Sequence, residues 1–275
     1  MGLTSLFLRR RPITYPAGMI VEDVIQVRIS GGPKLPTLIY VPGLHGDWTL
    51  VGSFRKAVKG RVRFVEMTYP RTLTWSLDDY ARSIAKALCR EGIPAGWLLG
   101  ESFGSQVVWA LIREGRFDCT GIIMAGGVVK HAARWGVQLA VRLCGSIPLR
   151  AITTILFGYG RMARFRFRKA PDVAAGINEF IARRTELDRH AAVHRLRLIL
   201  HNDFTLVAAT TQKPVYCISG LLDPVVPWWF VRRWLRSHCP ALRDYRVIPG
   251  ADHNVLGTAP KAASDLIVNW MRRGL

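Results

Sequence analysis

A serine between two glycines, at the junction of a predicted strand and a predicted helix, is the residue best suited to do chemistry. The sequence Gly100-Glu101-Ser102-Phe103-Gly104 follows an apolar strand at residues 97–99 and precedes a helical pattern at residues 105–114. A strand that turns sharply into a helix leaves no room for side chains two residues before and after the serine. The turn exposes the Ser102 hydroxyl, and the amides at the helix N-terminus face the reacting oxygen. The pattern predicts a nucleophilic serine, with an ordinary glycine-rich turn as the alternative.

Two residues in later loops are suited to activate this serine, because a hydroxyl is a weak nucleophile until an oriented base removes its proton. Asp223 follows a predicted strand at residues 215–219, and His253 follows another at residues 245–248. The carboxyl ends of parallel strands share one edge of a sheet, so these loops can converge on Ser102. We predict Ser102 as nucleophile, His253 as general base and Asp223 as its orienting acid. Taken alone, Asp223 is equally typical of a turn and His253 of a helix cap.

A glycine-rich turn after an earlier predicted strand is suited to stabilise the negative oxygen that acyl transfer creates. Its sequence is Pro42-Gly43-Leu44-His45-Gly46. Because that oxygen needs preorganised donors, we predict the backbone amides of Leu44 and Phe103 as the oxyanion hole. A turn that the glycines build without an oxyanion role is the alternative. His45 and Asp47 either contact the substrate or simply make the turn polar.

The loops that carry these residues belong to an alternating pattern of strands and helices. Strands with continuous apolar sequence, separated by helices, are typical of a mainly parallel sheet covered on both faces. Residues 130–211 differ, because they combine basic and aromatic residues with helical periodicity and contain no convincing strand. We therefore predict a core formed by residues 1–129 and 212–275, interrupted by a helical cap at residues 130–211. The predicted strands are residues 24–29, 38–41, 62–67, 97–99, 121–125, 215–219 and 245–248, and the predicted core helices are residues 77–89, 105–114, 228–237 and 260–273.

Together these motifs resemble those of the α/β-hydrolase superfamily, in its serine esterase, lipase and thioesterase branch. The turn at residues 42–46, the elbow at residues 100–104, the acid loop at residues 220–227 and the histidine turn at residues 250–253 stand in the order typical of that family. The resemblance implies an α/β fold with a mainly parallel eight-stranded sheet flanked by helices, an inserted cap, no cofactor and an acyl-enzyme resolved by water. Serine at the elbow, rather than aspartate, argues against dehalogenase and epoxide-hydrolase relatives.

These observations lead us to expect a serine hydrolase that cleaves a small-molecule carboxylic ester or thioester with an apolar acyl group. Two alternatives stay open. One is a catalytically silent relative that binds a ligand or a partner, and the other is a lipase that works at a membrane surface.

The charge of the chain bears on its partners. Lys and Arg number 39 against 19 Asp and Glu, a formal net charge of +20 that attracts polyanions. No basic block is longer than the three arginines at residues 9–11, so we expect no specific nucleic acid. The basic-aromatic stretch at residues 161–169 and the segment at residues 3–11 are either solvated surface or contacts to an anionic membrane or a phosphate-bearing acyl donor.

The remaining sequence features concern location and metals. Five scattered cysteines without a C-x-x-C pair indicate neither a disulfide framework nor a zinc site. The N-terminal apolar stretch precedes its arginines, the reverse of a secretory signal, and no apolar run reaches the roughly 20 residues of a membrane span. His190 and His194 have the spacing of zinc ligands but lack the glutamate of a metalloprotease motif. We expect a cytoplasmic protein without a metal, peripheral to the membrane if it meets one.

Overall fold

The structure is a computed structural model that describes residues 24–131, 134–151, 154 and 171–274. The segment at residues 3–11 and the basic-aromatic stretch at residues 161–169 lie outside the described residues.

The described strands form one sheet in the order β1-β3-β2-β4-β5-β6-β7. Every neighbouring pair is parallel except β1 with β3, which confirms the predicted mainly parallel sheet. Within the described residues this sheet has seven strands, one fewer than the eight that the family resemblance implied. The strands are β1 (Gln26–Ser30), β2 (Thr37–Val41), β3 (Arg63–Thr68), β4 (Ala95–Glu101), β5 (Asp118–Ala125), β6 (Val215–Gly220) and β7 (Leu242–Ile248).

Helices cover both faces of the sheet, and the alternation of side chains along each strand divides the core into two clusters. Ile39 and Val41 of β2 belong to one cluster, and Leu38 and Tyr40 belong to the other, as expected for side chains that point to opposite faces. Full burial of each such side chain stabilises the fold by about 1.5–3 kcal/mol. The core helices are α1 (Gly52–Val58), α2 (Leu77–Arg90), α3 (Gly104–Glu114), α8 (Trp228–His238), α9 (Val255–Thr258) and α10 (Pro260–Arg273), and a short 3₁₀ helix (Thr49–Val51) precedes α1.

Helix α2 begins where its sequence predicts. The Ser76 hydroxyl accepts from the Asp79 amide at 3.2 Å, and the Asp79 carboxylate accepts from the Ser76 amide at 2.8 Å. This reciprocal arrangement satisfies two amides that a helix start otherwise leaves without partners.

Among its described residues, the interval predicted as a cap consists of helices joined by turns and loops, and it contains no strand. Its helices are α4 (Arg134–Ser146), α5 (Pro171–Ala182), α6 (Glu186–His201) and α7 (Thr205–Thr210). Helices α4 and α6 pack on each other, and α5 packs beside the 3₁₀ helix through Val173, Ile177 and Leu50. The division into core and cap stays an interpretation. In the part of the chain that the structure covers, every helix is too short or too polar to cross a membrane.

Candidate active site

Ser102 lies at the end of β4, immediately before α3, in a strained backbone conformation. Its φ of 51° is the only positive value at a non-glycine residue among those described, and such a conformation costs of order 1 kcal/mol or more. A Cβ at Gly104 would lie 2.1 Å from the Val41 carbonyl oxygen, and one at Gly100 would lie 2.8 Å from the Ser105 Cα. The turn therefore requires both flanking glycines.

The structure brings the three residues of the predicted triad together at the carboxyl edge of the sheet. The His253 Nε2 atom lies 2.8 Å from the Ser102 Oγ, and the His253 Nδ1 atom lies 2.8 Å from the Asp223 Oδ2. An ionised carboxylate can only accept, so Nδ1 carries a proton and donates to Asp223. In a neutral imidazole Nε2 is then an acceptor for the Ser102 hydroxyl. This tautomer is the one that can take a proton from the serine.

The Asp223 carboxylate is held rigidly. Its side chain is fully buried, and its second oxygen, Oδ1, accepts from the amides of Val225 and Val226 at 2.8 and 2.9 Å. Buried polar groups need such partners. The acid loop therefore fixes one oxygen and leaves the other for His253.

Two glycines that the sequence did not single out as site residues allow the loops to converge. A Cβ at Gly220 would lie 2.3 Å from the Asp252 carbonyl oxygen, so the acid loop and the histidine loop touch through backbone atoms. Gly126 has a φ of +57°, and a Cβ there would lie 3.3 Å from the His253 Nδ1. Both positions need glycine, because a side chain would displace the imidazole or its loop.

The two residues whose amides are the predicted oxyanion donors lie beside Ser102. Leu44 and Phe103 line the same cavity as Ser102. A Cβ at Gly43 would lie 3.4 Å from the Ser102 Cβ, so the turn at residues 42–46 packs against the serine. Within the described residues, no group accepts a hydrogen bond from the backbone amide of Leu44 or of Phe103.

A cavity of about 700 Å³ contains the triad, within the usual range for small-molecule sites. The core supplies its floor, and helices α4 and α6 supply part of its wall. Most other side chains that line it are apolar, so an apolar group fits the cavity. They include Leu50, Val128, Trp135, Val137, Ala140, Leu196, Ile199, Val226 and Trp229.

Two polar residues, His45 in the predicted oxyanion turn (residues 42–46) and Asp47 directly after it, have contacts of their own. Burial lowers the pKa of His45, and its Nε2 atom is buried without a hydrogen-bond partner among the described residues. Burial acts to raise the Asp47 pKa, but His45 and Arg184 outweigh it and lower that pKa to about 2. The Asp47 carboxylate pairs with Arg184 at 2.6 Å, so Asp47 links the turn to the segment between α5 and α6.

Glu101, between the elbow glycine and the serine, is buried and accepts a hydrogen bond from the Tyr40 hydroxyl. Burial raises the pKa of Tyr40 well above its ordinary value, and the neighbouring Glu101 raises it further. Tyr40 therefore stays protonated and remains a donor to Glu101.

His190 and His194 have separate partners. The His194 Nε2 lies 2.8 Å from the Trp75 carbonyl oxygen, and the His190 Nε2 lies 2.8 Å from a guanidinium nitrogen of Arg189. Across the described ranges, no cluster of three or more His, Cys, Asp or Glu residues could hold a metal ion.

Known proteins resemble this chain in sequence pattern and in fold. The sequence model of a family described as the alpha/beta hydrolase family matches residues 38–266. No curated protein matches the chain in sequence. An esterase from Thermogutta terrifontis superposes with a TM-score of 0.72 at 19% identity, covering 91% of this chain and 93% of that one. The enol-lactonase from Burkholderia xenovorans LB400 gives 0.74 at 15% identity, covering 90% and 96% respectively.

Proposed function

The chain belongs to the alpha/beta hydrolase family, and from that premise we propose that it is a serine hydrolase of carboxylic esters or thioesters with an apolar acyl group. The observation that carries the proposal is the continuous hydrogen-bonded series from Asp223 through His253 to Ser102 inside an apolar cavity. A small-molecule substrate fits a cavity of this size.

The first half of the reaction forms an acyl-enzyme. The Ser102 Oγ attacks the carbonyl carbon of the substrate while His253 Nε2 takes its proton, and the buried Asp223 carboxylate stabilises the resulting imidazolium. The carbonyl oxygen becomes an oxyanion, and the amides of Leu44 and Phe103 donate to it. When the tetrahedral intermediate collapses, His253 returns the proton to the departing alkoxide or thiolate.

The second half of the reaction releases the acid. A water molecule gives its proton to His253 and attacks the acyl carbon, and Ser102 leaves with the proton that His253 returns. The residues named here complete both halves without a cofactor. Lactones are cyclic esters, so the same steps would open them, and one structural neighbour is described as an enol-lactonase.

Labelling of the nucleophile tests this proposal directly. A fluorophosphonate probe is expected to modify the wild-type protein and not Ser102→Ala, because the probe forms a covalent bond to an activated serine. Ser237→Ala, at an exposed position on α8, is the matched control and is expected to label like wild type. An unlabelled wild type, or equal labelling of Ser102→Ala, contradicts the proposal.

Turnover of an acyl-length series of esters and acyl-CoA thioesters then separates the esterase and thioesterase forms of the proposal. Turnover is expected to rise with acyl length until the cavity is filled. Absence of turnover across the series, together with tight binding of an acyl ligand, would favour the alternative of a catalytically silent binding protein.

A distribution of exposed apolar residues favours a second candidate, a lipase that works at an anionic membrane surface. In the described ranges, the exposed large hydrophobic side chains concentrate in two segments around the cavity. Trp135, Leu139 and Leu143 form one stripe on α4, and Leu221, Leu222, Val225, Trp229 and Phe230 lie at and before the start of α8. Trp135, Val225 and Trp229 also line the cavity, so the apolar face surrounds its mouth.

Arginines accompany this apolar face. Arg233 and Arg236 are exposed and follow Trp229 at the spacing of one helix face. Apolar side chains beside arginines suit the boundary between lipid headgroups and acyl chains. The segments at residues 3–11 and 161–169 would add positive charge to the same association.

Vesicle sedimentation tests the second candidate. Wild type is expected to sediment with vesicles containing phosphatidylglycerol at low salt and less at high salt, and to ignore neutral phosphatidylcholine vesicles. Trp229→Ser is expected to weaken sedimentation, whereas Leu206→Ser, which removes an exposed leucine that does not line the cavity, is the control. Equal sedimentation with both kinds of vesicle removes this candidate.

The location proposed for the protein is the cytoplasm. All five cysteines are free in the structure, which supports a reducing compartment. No specific nucleic acid partner is proposed.

A further inference from the structure

A buried arginine of helix α6 contacts the turn that carries Leu44. Only 2% of Arg195 is exposed. Its Nη1 donates to the Leu44 carbonyl oxygen at 2.8 Å, its Nη2 donates to the Pro70 carbonyl oxygen at 3.0 Å, and its Nε donates to the Tyr80 hydroxyl at 3.3 Å. Buried arginines ordinarily pair with carboxylates, but in the described part of the chain this one has only neutral acceptors. Burial of the guanidinium group costs desolvation free energy that no carboxylate offsets here, which indicates a functional role for Arg195.

The contacts of Arg195 complete the fixation of the oxyanion turn. The Pro42 carbonyl accepts from the Tyr69 hydroxyl at 2.9 Å, and the Gly43 carbonyl accepts from the Gly46 amide at 3.0 Å. With Arg195 on the Leu44 carbonyl, three successive carbonyls are all held. The amide of Leu44 points opposite to the Gly43 carbonyl, because the peptide bond is planar and trans. Holding these carbonyls therefore fixes the direction of the Leu44 amide.

The turn is shaped to receive the guanidinium group. Gly46 has a φ of +80°, and a Cβ there would lie 2.6 Å from Nη1 and 2.8 Å from Nη2 of Arg195. The absence of a side chain at Gly46 therefore provides the space that Arg195 occupies. The Gly46 carbonyl accepts from the Tyr69 amide at 2.8 Å, which keeps this part of the turn in place.

Arg195 also contacts the aromatic rings that pack around Phe103, whose amide is the second predicted oxyanion donor. Its guanidinium carbon lies 5.2 Å from the Tyr69 ring centroid and 6.0 Å from that of Tyr80. Both of these rings pack edge-on against the Phe103 ring, at centroid distances of 6.0 and 5.8 Å. One side chain of α6 thus supports the surroundings of both Leu44 and Phe103.

We propose that Arg195 is the positioning residue of the oxyanion hole, an inference that rests on the serine hydrolase function proposed above. Arg195 does not line the cavity that contains Ser102, so it acts through the turn. It holds the turn at residues 42–46 so that the Leu44 amide faces the developing oxyanion. Because Arg195 belongs to α6, the seating of this helix on the core determines whether the hole is complete.

The experiment compares Arg195→Met with Arg197→Met, a matched change at an exposed position of the same helix. Loss of one correctly placed oxyanion donor lowers kcat by roughly 10²–10³-fold, and misplacement is expected to lower it by roughly 10–100-fold. The KM of a short-chain ester is expected to stay within about threefold, since Arg195 acts on the transition state. A trifluoromethyl ketone, which forms a tetrahedral oxyanion on Ser102, is expected to lose affinity by the same factor as kcat. Arg197→Met is expected to change none of these quantities.

Arg195→Lys guards against the case in which Arg195→Met does not fold. Lysine keeps the buried charge but lacks the planar fork, so we expect a folded protein with kcat lowered by about tenfold. A folded Arg195 variant with the kcat and ketone affinity of Arg197→Met overturns the inference, as does a fall in kcat without a matching fall in ketone affinity. Wild-type protein without turnover overturns the proposed function itself, and this inference with it.

Discussion

Two aspartates near His253 differ in what their carboxylates contact. Asp223 gives one oxygen to the His253 Nδ1, whereas Asp252 accepts from the Asn254 amide and the Thr258 hydroxyl, each at 3.1 Å. In Asp223→Asn the side-chain amide would face Nδ1 and favour the wrong imidazole tautomer. We expect kcat to fall by roughly 10³–10⁴-fold and the KM to change little. For Asp252→Asn we expect a loss below about tenfold.

Steady-state kinetics on the best ester of the acyl-length series measures both variants. The two variants share one chemical change, so a difference between them reports the contact to His253 and not the loss of a carboxylate. Equal losses in both, or full activity in Asp223→Asn, would falsify the assignment of Asp223.

The elbow glycines also determine the stability of the fold. A Cβ at Gly104 would lie 2.1 Å from a backbone oxygen, whereas one at Gly32 would meet nothing within 4 Å. Gly104→Ala is therefore expected to lower the free energy of unfolding by about 3 kcal/mol or more, since the backbone must move. Gly32→Ala is expected to stay within about 0.5 kcal/mol of wild type. Urea unfolding measures both, and an unchanged midpoint for Gly104→Ala contradicts the steric argument.

Single residues were predictable from the sequence where their role depends on near neighbours. Ser102 was indicated by glycines two positions away, and Asp223 and His253 by the strands that precede them. Arg195 gave no such signal, because its partner Leu44 is 151 residues away and it is one of 39 Lys and Arg residues. Likewise nothing beside Asp47 predicted its pairing with Arg184, 137 residues later.

Between elements, an ion pair connects Asp47, the residue after the oxyanion turn, with Arg184, the second residue after α5. Asp47 and Arg184 are mostly buried, and the Asp47 pKa is about 2 against an ordinary value of 3.8. A carboxylate with a lowered pKa stabilises the folded state fully above its ordinary pKa. That stabilisation is lost as the pH falls from about 4 to about 2.

Asp47→Asn tests this ion pair, because it removes the charge but keeps an acceptor for the Thr49 amide, which donates to the Asp47 Oδ1 at 2.8 Å. We expect the free energy of unfolding at pH 7 to fall by roughly 2 kcal/mol, and the difference from wild type to shrink at about pH 3. Asp118→Asn is the control, since Asp118 is largely exposed and pairs with Lys213 only at 3.4 Å, so we expect a change below about 1 kcal/mol. Urea unfolding at both pH values decides, and a pH-independent loss in Asp47→Asn would contradict the prediction.

Element boundaries were predictable where apolar or capping residues mark them. The predicted strand at residues 121–125 and the observed β5 (Asp118–Ala125) end at the same residue, but β5 begins three residues earlier, where only Cys119 is buried and no run of apolar residues marks a strand. The observed β4 (Ala95–Glu101) extends the predicted strand at residues 97–99 at both ends. The sequence did not indicate its first two residues, because Ala95 and Gly96 are poor strand formers and the register shifts after Gly96. Packing against neighbouring strands extends these elements beyond what their own residues favour.

At the scale of the whole molecule, the parallel sheet was predictable and the order of its strands was not. Alternating strands and helices imply parallel neighbours, yet nothing in β1 (Gln26–Ser30) indicated that it would pair antiparallel with β3. The buried side chain of Glu66 on β3 helps to explain why β1 lies beside β3. It pairs with Arg28 of β1 at 2.9 Å and with Arg55 of α1 at 2.6 Å. This contact joins segments that are distant in sequence, and so it lies outside any local pattern.

The net charge of +20 affects how charged substrates approach the protein. A positive field raises the local concentration of anions and is screened by salt, whose Debye length is about 10 Å at 0.1 M. For an ester whose leaving group carries sulfonates, kcat/KM is expected to fall by about tenfold between about 0.05 and 0.5 M salt. A neutral ester with the same acyl chain is the control and is expected to change by less than about twofold, because the cavity around Ser102 is lined mainly by apolar side chains. An equal salt dependence of the two esters would mean that the surface charge does not affect the approach of substrates to the site. The excess of arginine in this chain would then need another explanation.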